Sequence, residues 1–312
     1  MAITVYRSDD VGAPELTSAA GSLIAVLDAC LVSGYGSKAA SGWEKAFTDT
    51  NRAVYRAASG NRFYLYIDDT GVQYCIARGY RDMTMAADIG DGPFPTTAQL
   101  AGAIRPIKSS TTNDLVRPWI IIAGSRAVYV WIAFNQTDIG SPTTSTDLWF
   151  FGDFISYLPG DAMNTALIGR HISAVTVGHT AVGNSLTTGA NANGHYLASS
   201  YLQDGNSVPC ACLRSAQAAT TASAGSSGPL YPDPITGGLL LETMRITEGN
   251  SLVRGHLPGI FNPIHNQPGN HLDTLSGRGA LSGTDFLLLY KGGTAGRVAF
   301  SMNEPAHWLP PV

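Results

Sequence analysis

Charged side chains are scarce in this chain. Its 312 residues include 19 Lys and Arg and 23 Asp and Glu, so 13% of the residues are charged, whereas about a quarter is usual in a soluble domain. Charges are costly to desolvate when two surfaces meet, while small polar groups pair across an interface. The shortage of charge therefore favours a component of an assembly over an enzyme.

Other absences exclude whole classes of protein. The formal net charge is -4 and no run of Lys and Arg forms the basic stripe that nucleic-acid binding requires. No apolar stretch approaches the ~18 residues of a membrane span, and residues 1–10 have neither the basic start nor the apolar run of a signal peptide. We expect no sequence-specific nucleic-acid binding, no membrane span and synthesis in the cytoplasm.

Cysteine is also rare, with four residues in all. Cys30 falls on a helical apolar face and Cys75 in a strand-like run, as is typical of buried small hydrophobic residues. Cys210 and Cys212 form the one close pair, whereas zinc sites usually combine such pairs with two or more residues between the ligands. We interpret the pair as two thiols alternating in a strand, and expect no metal and no other cofactor.

Periodic apolar residues predict one short helix and several strands. Helical spacing over Ser22–Val32, with Ser22 as N-cap and Gly34 as stop, predicts an amphipathic helix. Alternating and aromatic-rich runs predict two hairpins, over residues 62–79 and 119–134, the second with a type II′ turn that begins at Gly124. Further strands are predicted at 148–155, 238–246, 286–290 and 297–301.

These elements predict an α+β fold that is β-dominated. Its antiparallel sheets form a meander or sandwich, with a short N-terminal helix and long irregular loops. Residues 1–160 would hold the helix and one sheet, residues 161–235 a loop-rich excursion, and residues 236–312 strands that pack with the N-terminal part as one globular body. Residues 183–230 are rich in Gly, Ala, Ser, Thr and Asn, and the tail Trp308–Val312 is predicted to lie along a surface.

Motifs that carry catalysis are incomplete. Gly34, Gly36 and Gly42 follow the predicted helix, whereas the dinucleotide fingerprint places its glycines between a strand and a helix. Gly225-Ser226-Ser227-Gly228 lacks the spacing of a hydrolase nucleophile elbow. We therefore expect no catalytic and no cofactor-binding residue.

Acidic residues cluster in predicted turns. Paired carboxylates can act as acid and base on a glycosidic bond, and Asp88 with Asp91 offers part of a calcium loop. Asp is also common in turns because its side chain bonds to local backbone groups, and this is the interpretation we favour. The residues concerned are Asp68, Asp69, Asp88, Asp91 and Asp114.

Five histidines are candidate metal ligands. His256, His265 and His271 fall in a loop-like stretch that begins at Arg254, and none of the five has the close spacing of ligands on one helix or strand. We interpret them as imidazoles bonded to backbone in packed loops, with a metal site assembled from distant segments as the alternative. The remaining two are His171 and His179.

Two groups of segments resemble structural proteins of tailed-bacteriophage virions, over about a third of the chain. They are Ser22–Lys38, Gly42–Phe47 and Asn61–Leu65 near one end, and Arg254–Phe261, Pro263–His265 and Leu281–Thr284 near the other. The resemblance implies a non-enzymatic subunit of a symmetric ring or sleeve in the tail, baseplate or neck, with copies of itself and other virion proteins as partners. It transfers no catalytic residue. A capsid decoration protein would share the same features.

The sequence therefore predicts a virion protein made in the host cytoplasm. Edge strands, the loops of residues 183–230 and the C-terminal tail are the expected contact surfaces, because few Lys or Glu are present to block an edge. The alternative is a carbohydrate-binding receptor-recognition module or a polysaccharide-degrading tail module. In that case Trp43 and Trp308 would be exposed and stack on sugars, and Asp68 and Asp69 would supply the acids.

Overall fold

Antiparallel sheets dominate the computed structural model, which describes residues 3–140, 145–170, 194–213, 229–249, 251–265, 268–290 and 297–308. These residues include one short α-helix, so the predicted α+β, β-dominated class is confirmed. The strands are β1 (Thr4–Arg7), β2 (Glu44–Asp49), β3 (Arg52–Arg56), β4 (Tyr64–Asp68), β5 (Ile76–Tyr80), β6 (Trp119–Ala123), β7 (Ala127–Ile132), β8 (Asp147–Asp153), β9 (Ile155–Ser156), β10 (Thr165–Ile168), β11 (His195–Leu197), β12 (Val208–Leu213), β13 (Leu241–Glu248), β14 (Leu252–Pro263), β15 (Thr274–Ser276), β16 (Asp285–Tyr290) and β17 (Arg297–Ser301).

The predicted helix is present, but its first turn is capped from a distance. Helix α1 spans Ser22–Asp28 and continues as a π-helical segment that ends at Gly34, whose φ of 78° confirms the predicted stop. Ser22 is not the N-cap: its hydroxyl donates to the Thr17 carbonyl. The Asp69 carboxylate accepts from the backbone N–H of Leu23 at 2.8 Å instead, so a residue of the β4–β5 connection stabilises the helix start.

A small sheet and the helix cover one face of a much larger sheet. Strands β2-β3-β4-β5 form the small antiparallel sheet, and β4 with β5 is the hairpin predicted over residues 62–79. Apolar residues of α1, such as Leu27, share a core with Leu65 of the small sheet and with Val130 and Trp149 of the large one. This core joins the N-terminal elements to the large sheet.

The large sheet closes on itself. Its strand order is β1-β6-β7-β8-β10-β11-β12-β13-β14-β17-β16-β15, and β9 also pairs with β14. Because only Phe154 separates β8 from β9, the strands β8/β9, β10, β11, β12, β13 and β14 form a closed hydrogen-bonded ring. Gly255 makes the closure possible, since a Cβ at this position would collide with the Ile155 carbonyl of β9.

A second core fills the space that the curved sheet encloses. Tyr129 of β7 donates its hydroxyl to the Pro258 carbonyl of β14 at 2.7 Å, and its ring lies 5.0 Å from that of Phe300. The same core contains Cys210 and Cys212, both buried and unpaired. Cys30 and Cys75 are buried as predicted, and none of the four thiols takes part in a disulfide.

The predicted meander of residues 119–155 is confirmed as β6, β7 and β8. Its first turn lies one residue later than predicted: the Gly124 N–H donates to the Ala127 carbonyl, so Ser125 and Arg126 are the turn residues. Gly124 does not adopt a positive φ, and the predicted type II′ turn is wrong. The strands predicted near residues 238, 286 and 297 are confirmed as β13, β16 and β17.

Two C-terminal predictions are corrected. The stretch that begins at Arg254 was expected to be loop-like, but its first part, up to Pro263, belongs to β14, the longest strand among the described residues, in which Gly255, Pro258 and Gly259 interrupt the alternation. The described residues between 264 and 273 form no strand. Trp308, predicted to lie along the surface with the rest of the tail, is 2% exposed and packs above Gly259, where a Cβ would overlap the indole. Residues 309–312 lie outside the described residues.

The predicted excursion contributes three strands in its described part. Residues 161–235 contain β10, β11 and β12, three consecutive members of the closed ring. Residues 171–193 and 214–228, which include most of the segment 183–230, lie outside the described residues. The division of the chain into three parts therefore stays a prediction.

Candidate functional site

Three connections meet at one end of the closed ring. Consecutive ring strands are antiparallel, so the β9–β10, β11–β12 and β13–β14 connections emerge on the same side. At each of them two adjacent large apolar residues reach that end, and two acidic residues accompany them: Asp161, whose side chain is buried, in the β9–β10 connection and the exposed Asp204 in the β11–β12 connection. We call these six residues the apolar loop end: Tyr157 and Leu158, Tyr201 and Leu202, and Leu252 and Val253.

Five of the six side chains are exposed and Leu158 is partly exposed. All of them except Leu202 line a shallow depression of about 310 Å³. Clusters of exposed apolar side chains are uncommon on soluble monomers and mark binding surfaces. The exposed fractions are 52% for Tyr157, 49% for Tyr201, 65% for Leu202, 47% for Leu252 and 50% for Val253.

Arg254 lies beneath these side chains and connects all three segments. Its side chain is 3% exposed, and its guanidinium makes ion pairs with Asp161 at 3.0 Å and with Glu248 at 2.8 Å. It also donates to the Ser199 carbonyl at 3.2 Å. The Arg254 carbonyl in turn accepts from the backbone N–H of Tyr157 at 2.8 Å. One buried side chain thus connects the β9–β10 loop, the start of the β11–β12 loop and the β13–β14 hairpin.

The charged groups of this network pair with one another. Asp161 is 1% exposed and also accepts from the Ser156 hydroxyl at 2.7 Å. Glu248, 14% exposed, accepts from the Tyr201 backbone N–H at 2.8 Å as well as from Arg254. Buried ions are tolerated when they are paired and hydrogen-bonded, and such networks fix the groups that they join. The network therefore holds the exposed side chains in place.

Tyr157 is also fixed from its far side. Its hydroxyl lies 3.1 Å from Nδ1 of His256, and the two ring centroids are 5.5 Å apart. Burial lowers the pKa of His256, so the imidazole is neutral at physiological pH and adds no charge to this surface.

The acidic pair predicted from sequence supports the fold. Asp69 is fully buried and bonded to Lys108 Nζ at 2.5 Å, in addition to capping α1. Asp68 accepts from Arg52 at 2.9 Å and from the Thr70 hydroxyl. Burial raises the pKa of Asp68, but these hydrogen bonds outweigh it and the pKa is lowered overall. Burial raises the pKa of Asp69 in spite of the bond to Lys108. Both carboxyl groups are thus engaged with partners that belong to the fold.

The other predicted acids are also paired or dispersed. Asp88 accepts from Arg78 Nε at 2.9 Å and from the Tyr80 hydroxyl at 2.7 Å. Asp91 lies 3.1 Å from Arg81, while Asp114 lies near Ser18. In the described part of the chain, no three His, Cys, Asp or Glu side chains are grouped so that they could hold a metal ion.

Two of the histidines bond to backbone as interpreted. Nε2 of His265 accepts from the Leu240 N–H at 2.6 Å, and Nε2 of His271 lies 3.0 Å from the Ile139 carbonyl oxygen. His256 differs, because it lies in a strand and contacts a side chain of the apolar loop end. Three of the motifs considered above lie outside the described residues: His171, His179 and Gly225-Ser226-Ser227-Gly228.

The carbohydrate alternative requires Trp43 and Trp308 to be exposed, and both are buried. Trp43 is 3% exposed and donates to the Gly124 carbonyl at 2.8 Å, and Trp308 donates to the Ser301 carbonyl at 3.0 Å. Both indoles are core residues whose polar atom has found a backbone acceptor. Neither is placed to stack on a sugar.

The edge of the small sheet is blocked by its own residues. β2 pairs only with β3, carries Glu44, Lys45 and Asp49, and has a register shift between Lys45 and Phe47. Charges and bulges of this kind discourage a further strand from pairing. The expectation that this edge needs a neighbour to cover it is therefore not supported.

No protein-family model and no curated protein matches this chain. Among the described residues, none of the helices has both the length and the apolar character needed to cross a membrane.

The apolar loop end was not singled out from sequence, although a local signal exists. Tyr157-Leu158 is followed by Pro-Gly, Tyr201-Leu202 by Gln-Asp-Gly, and Leu252-Val253 follows Gly-Asn-Ser. Large apolar pairs beside turn residues indicate exposed loop tips. Their convergence depends on the ring, which no local pattern reveals.

Proposed function

We propose that this protein is a non-enzymatic structural subunit of a tailed-bacteriophage virion. It belongs to the tail, the baseplate or the tail-proximal neck, forms a symmetric homo-oligomeric ring there, and contacts other virion proteins. The observation that carries the proposal is the apolar loop end: an uncharged, exposed surface held rigid by a buried ion network. Such a surface suits contact with another protein, because its binding requires little desolvation of polar groups and little ordering of loops.

Two features of the sequence support the same function. The segments that resemble virion structural proteins include Arg254–Phe261, and this segment contains Arg254 of the network and Gly255 of the ring closure. The shortage of charge, 13% of residues, suits a subunit whose surface is largely covered in the assembled particle.

The carbohydrate alternative depended on exposed aromatic side chains, and the two that were named are not available to a sugar. Trp43 and Trp308 are buried, and Asp68 and Asp69 are engaged with Arg52 and with Lys108 and the start of α1. No specific observation favours that function.

Particle composition tests the proposal directly. Purified virions would be analysed by quantitative mass spectrometry and by negative-stain microscopy with an antibody against this chain. We expect several copies per particle and labelling at one fixed position of the tail or neck. Detection of the chain only in the fraction free of particles, with a known tail protein as positive control, would contradict the proposal.

A further inference from the structure

We propose that the apolar loop end is a contact surface between two copies of this chain, related by a two-fold axis. The inference names a surface and its partner, and it does not depend on where in a particle the protein acts. It rests on the chemistry of the surface, its self-complementarity, its area and its rigidity.

The chemistry of the apolar loop end favours a protein partner. Its six residues carry no charge, and the ions below them are bonded to one another. An anionic membrane surface attracts basic side chains, and none projects from these three segments. A sugar needs several free hydrogen-bonding groups, whereas the Tyr157 hydroxyl already contacts His256. An apolar, uncharged protein surface is the complementary partner.

The surface that meets this description is the apolar loop end of a second copy. In a two-fold contact the same patch faces itself, so its six uncharged side chains meet apolar side chains of the other copy. The exposed carboxylate of Asp204, two residues from Leu202, accepts hydrogen bonds from Ser200 and Asn206 within its own loop. The composition of the patch also suits a protein–protein contact. Tyr, present here as Tyr157 and Tyr201, is enriched at the centres of interfaces, and Ser251, which lines the same depression, is small and polar.

The area is sufficient for a weak specific dimer. About half or more of the side chain is exposed in five of the six residues, and Leu158 is partly exposed, which together is on the order of 500 Å² per copy. A two-fold contact would then bury about 1,000 Å² in total, near the lower limit of specific interfaces. We therefore expect dissociation in the micromolar range, on the order of 10 µM.

The network beneath the patch makes this affinity attainable. Arg254 ties the Tyr157, Tyr201 and Leu252 segments to one guanidinium and its backbone carbonyl. Loops that are already ordered lose little conformational entropy when they bind, so more of the contact energy appears as affinity.

Sedimentation velocity of the full chain between about 1 and 200 µM tests the inference. Leu202→Asp adds a carboxylate to the apolar contact on each copy, and we expect the dissociation constant to rise at least tenfold. Ile235→Asp is the matched control: Ile235 is 92% exposed and lies outside the patch, so its dimer should dissociate as the wild type does. Circular dichroism verifies that both variants fold.

A second variant keeps the test independent of the added charge. All four native cysteines are buried, so Leu202→Cys introduces an exposed thiol that mild oxidation should convert into disulfide-linked dimers, while Ile235→Cys should not. A wild type that stays monomeric at 200 µM would overturn the inference, as would equal dissociation constants for Leu202→Asp and Ile235→Asp. A monomeric chain found in virions would overturn this inference alone, whereas a dimer absent from virions would overturn only the proposed function.

Discussion

Removal of the Arg254 guanidinium should destabilise the protein and loosen its loop end. Arg254→Met keeps most of the aliphatic stem but leaves Asp161, which is 1% exposed, without its cation. Breaking a buried ion pair costs about 3–5 kcal/mol, because the remaining charge stays desolvated. Glu248 is 14% exposed and is partly hydrated, so Asp161 dominates. We expect a loss of about 3 kcal/mol in the free energy of unfolding.

Urea denaturation measures this loss, and amide hydrogen exchange locates it. Exchange should accelerate in residues 157–161 and 199–204, which lose their common tether, and stay slow in β6 and β7. Arg52→Met is the control, since Arg52 is 39% exposed in its pair with Asp68 and should cost about 1 kcal/mol or less.

The double variant with Asp161→Asn separates the buried charge from the lost packing. Neutralising Asp161 in the Arg254→Met background should restore part of the stability, because no unpaired anion is then left behind. Equal losses for Arg254→Met and Arg52→Met, or unchanged exchange in the loops, would refute the reasoning.

Two further substitutions test the interior. Burial raises the pKa of Asp147 to about 7, so between about pH 4 and 7 the folded carboxyl keeps a proton that the unfolded one has lost, and stability falls as pH rises. Urea titrations should therefore show the free energy of unfolding of Asp147→Asn rising relative to that of the wild type, by up to about 4 kcal/mol from about pH 4 to pH 8. A difference between the two proteins that does not change with pH would contradict this. Gly259→Ala should lower the melting temperature by at least about 5 °C, because Gly259 has a φ of 67° and the added Cβ would overlap Trp308. An unchanged melting temperature would show that Trp308 is not held there.

Local patterns predicted the parts of the fold that depend on local contacts. The run of aromatic and β-branched residues from Trp119 to Phe154 predicts a meander because neighbouring strands are joined by short turns. Strand β14 was missed because Gly255, Pro258 and Gly259 interrupt its alternation. These residues serve the ring closure and the packing of Trp308, which are contacts with distant segments.

The same distinction explains the helix cap and the candidate site. Ser22 has the right position and chemistry for an N-cap, yet Asp69 replaces it across space. The apolar loop end is assembled from three connections that only the ring brings together. In the sequence, Arg254 is the first residue of a stretch that is predicted to be loop-like. Its partner Asp161 is distant in sequence, and its partner Glu248 is separated from it by the β13–β14 turn.

The closure of the ring also sets the order in which the chain can fold. Ser156 pairs with Gly255, so the ribosome must synthesise the chain beyond β14 before β9 finds its partner. Until then β9 has a free edge, and the apolar residues that will line the second core have no strand to cover them. Contacts between such distant residues form slowly. The nascent chain therefore passes through a stage prone to aggregation, and its yield in cells should respond to the rate of translation and to chaperones more than to the stability of the finished fold.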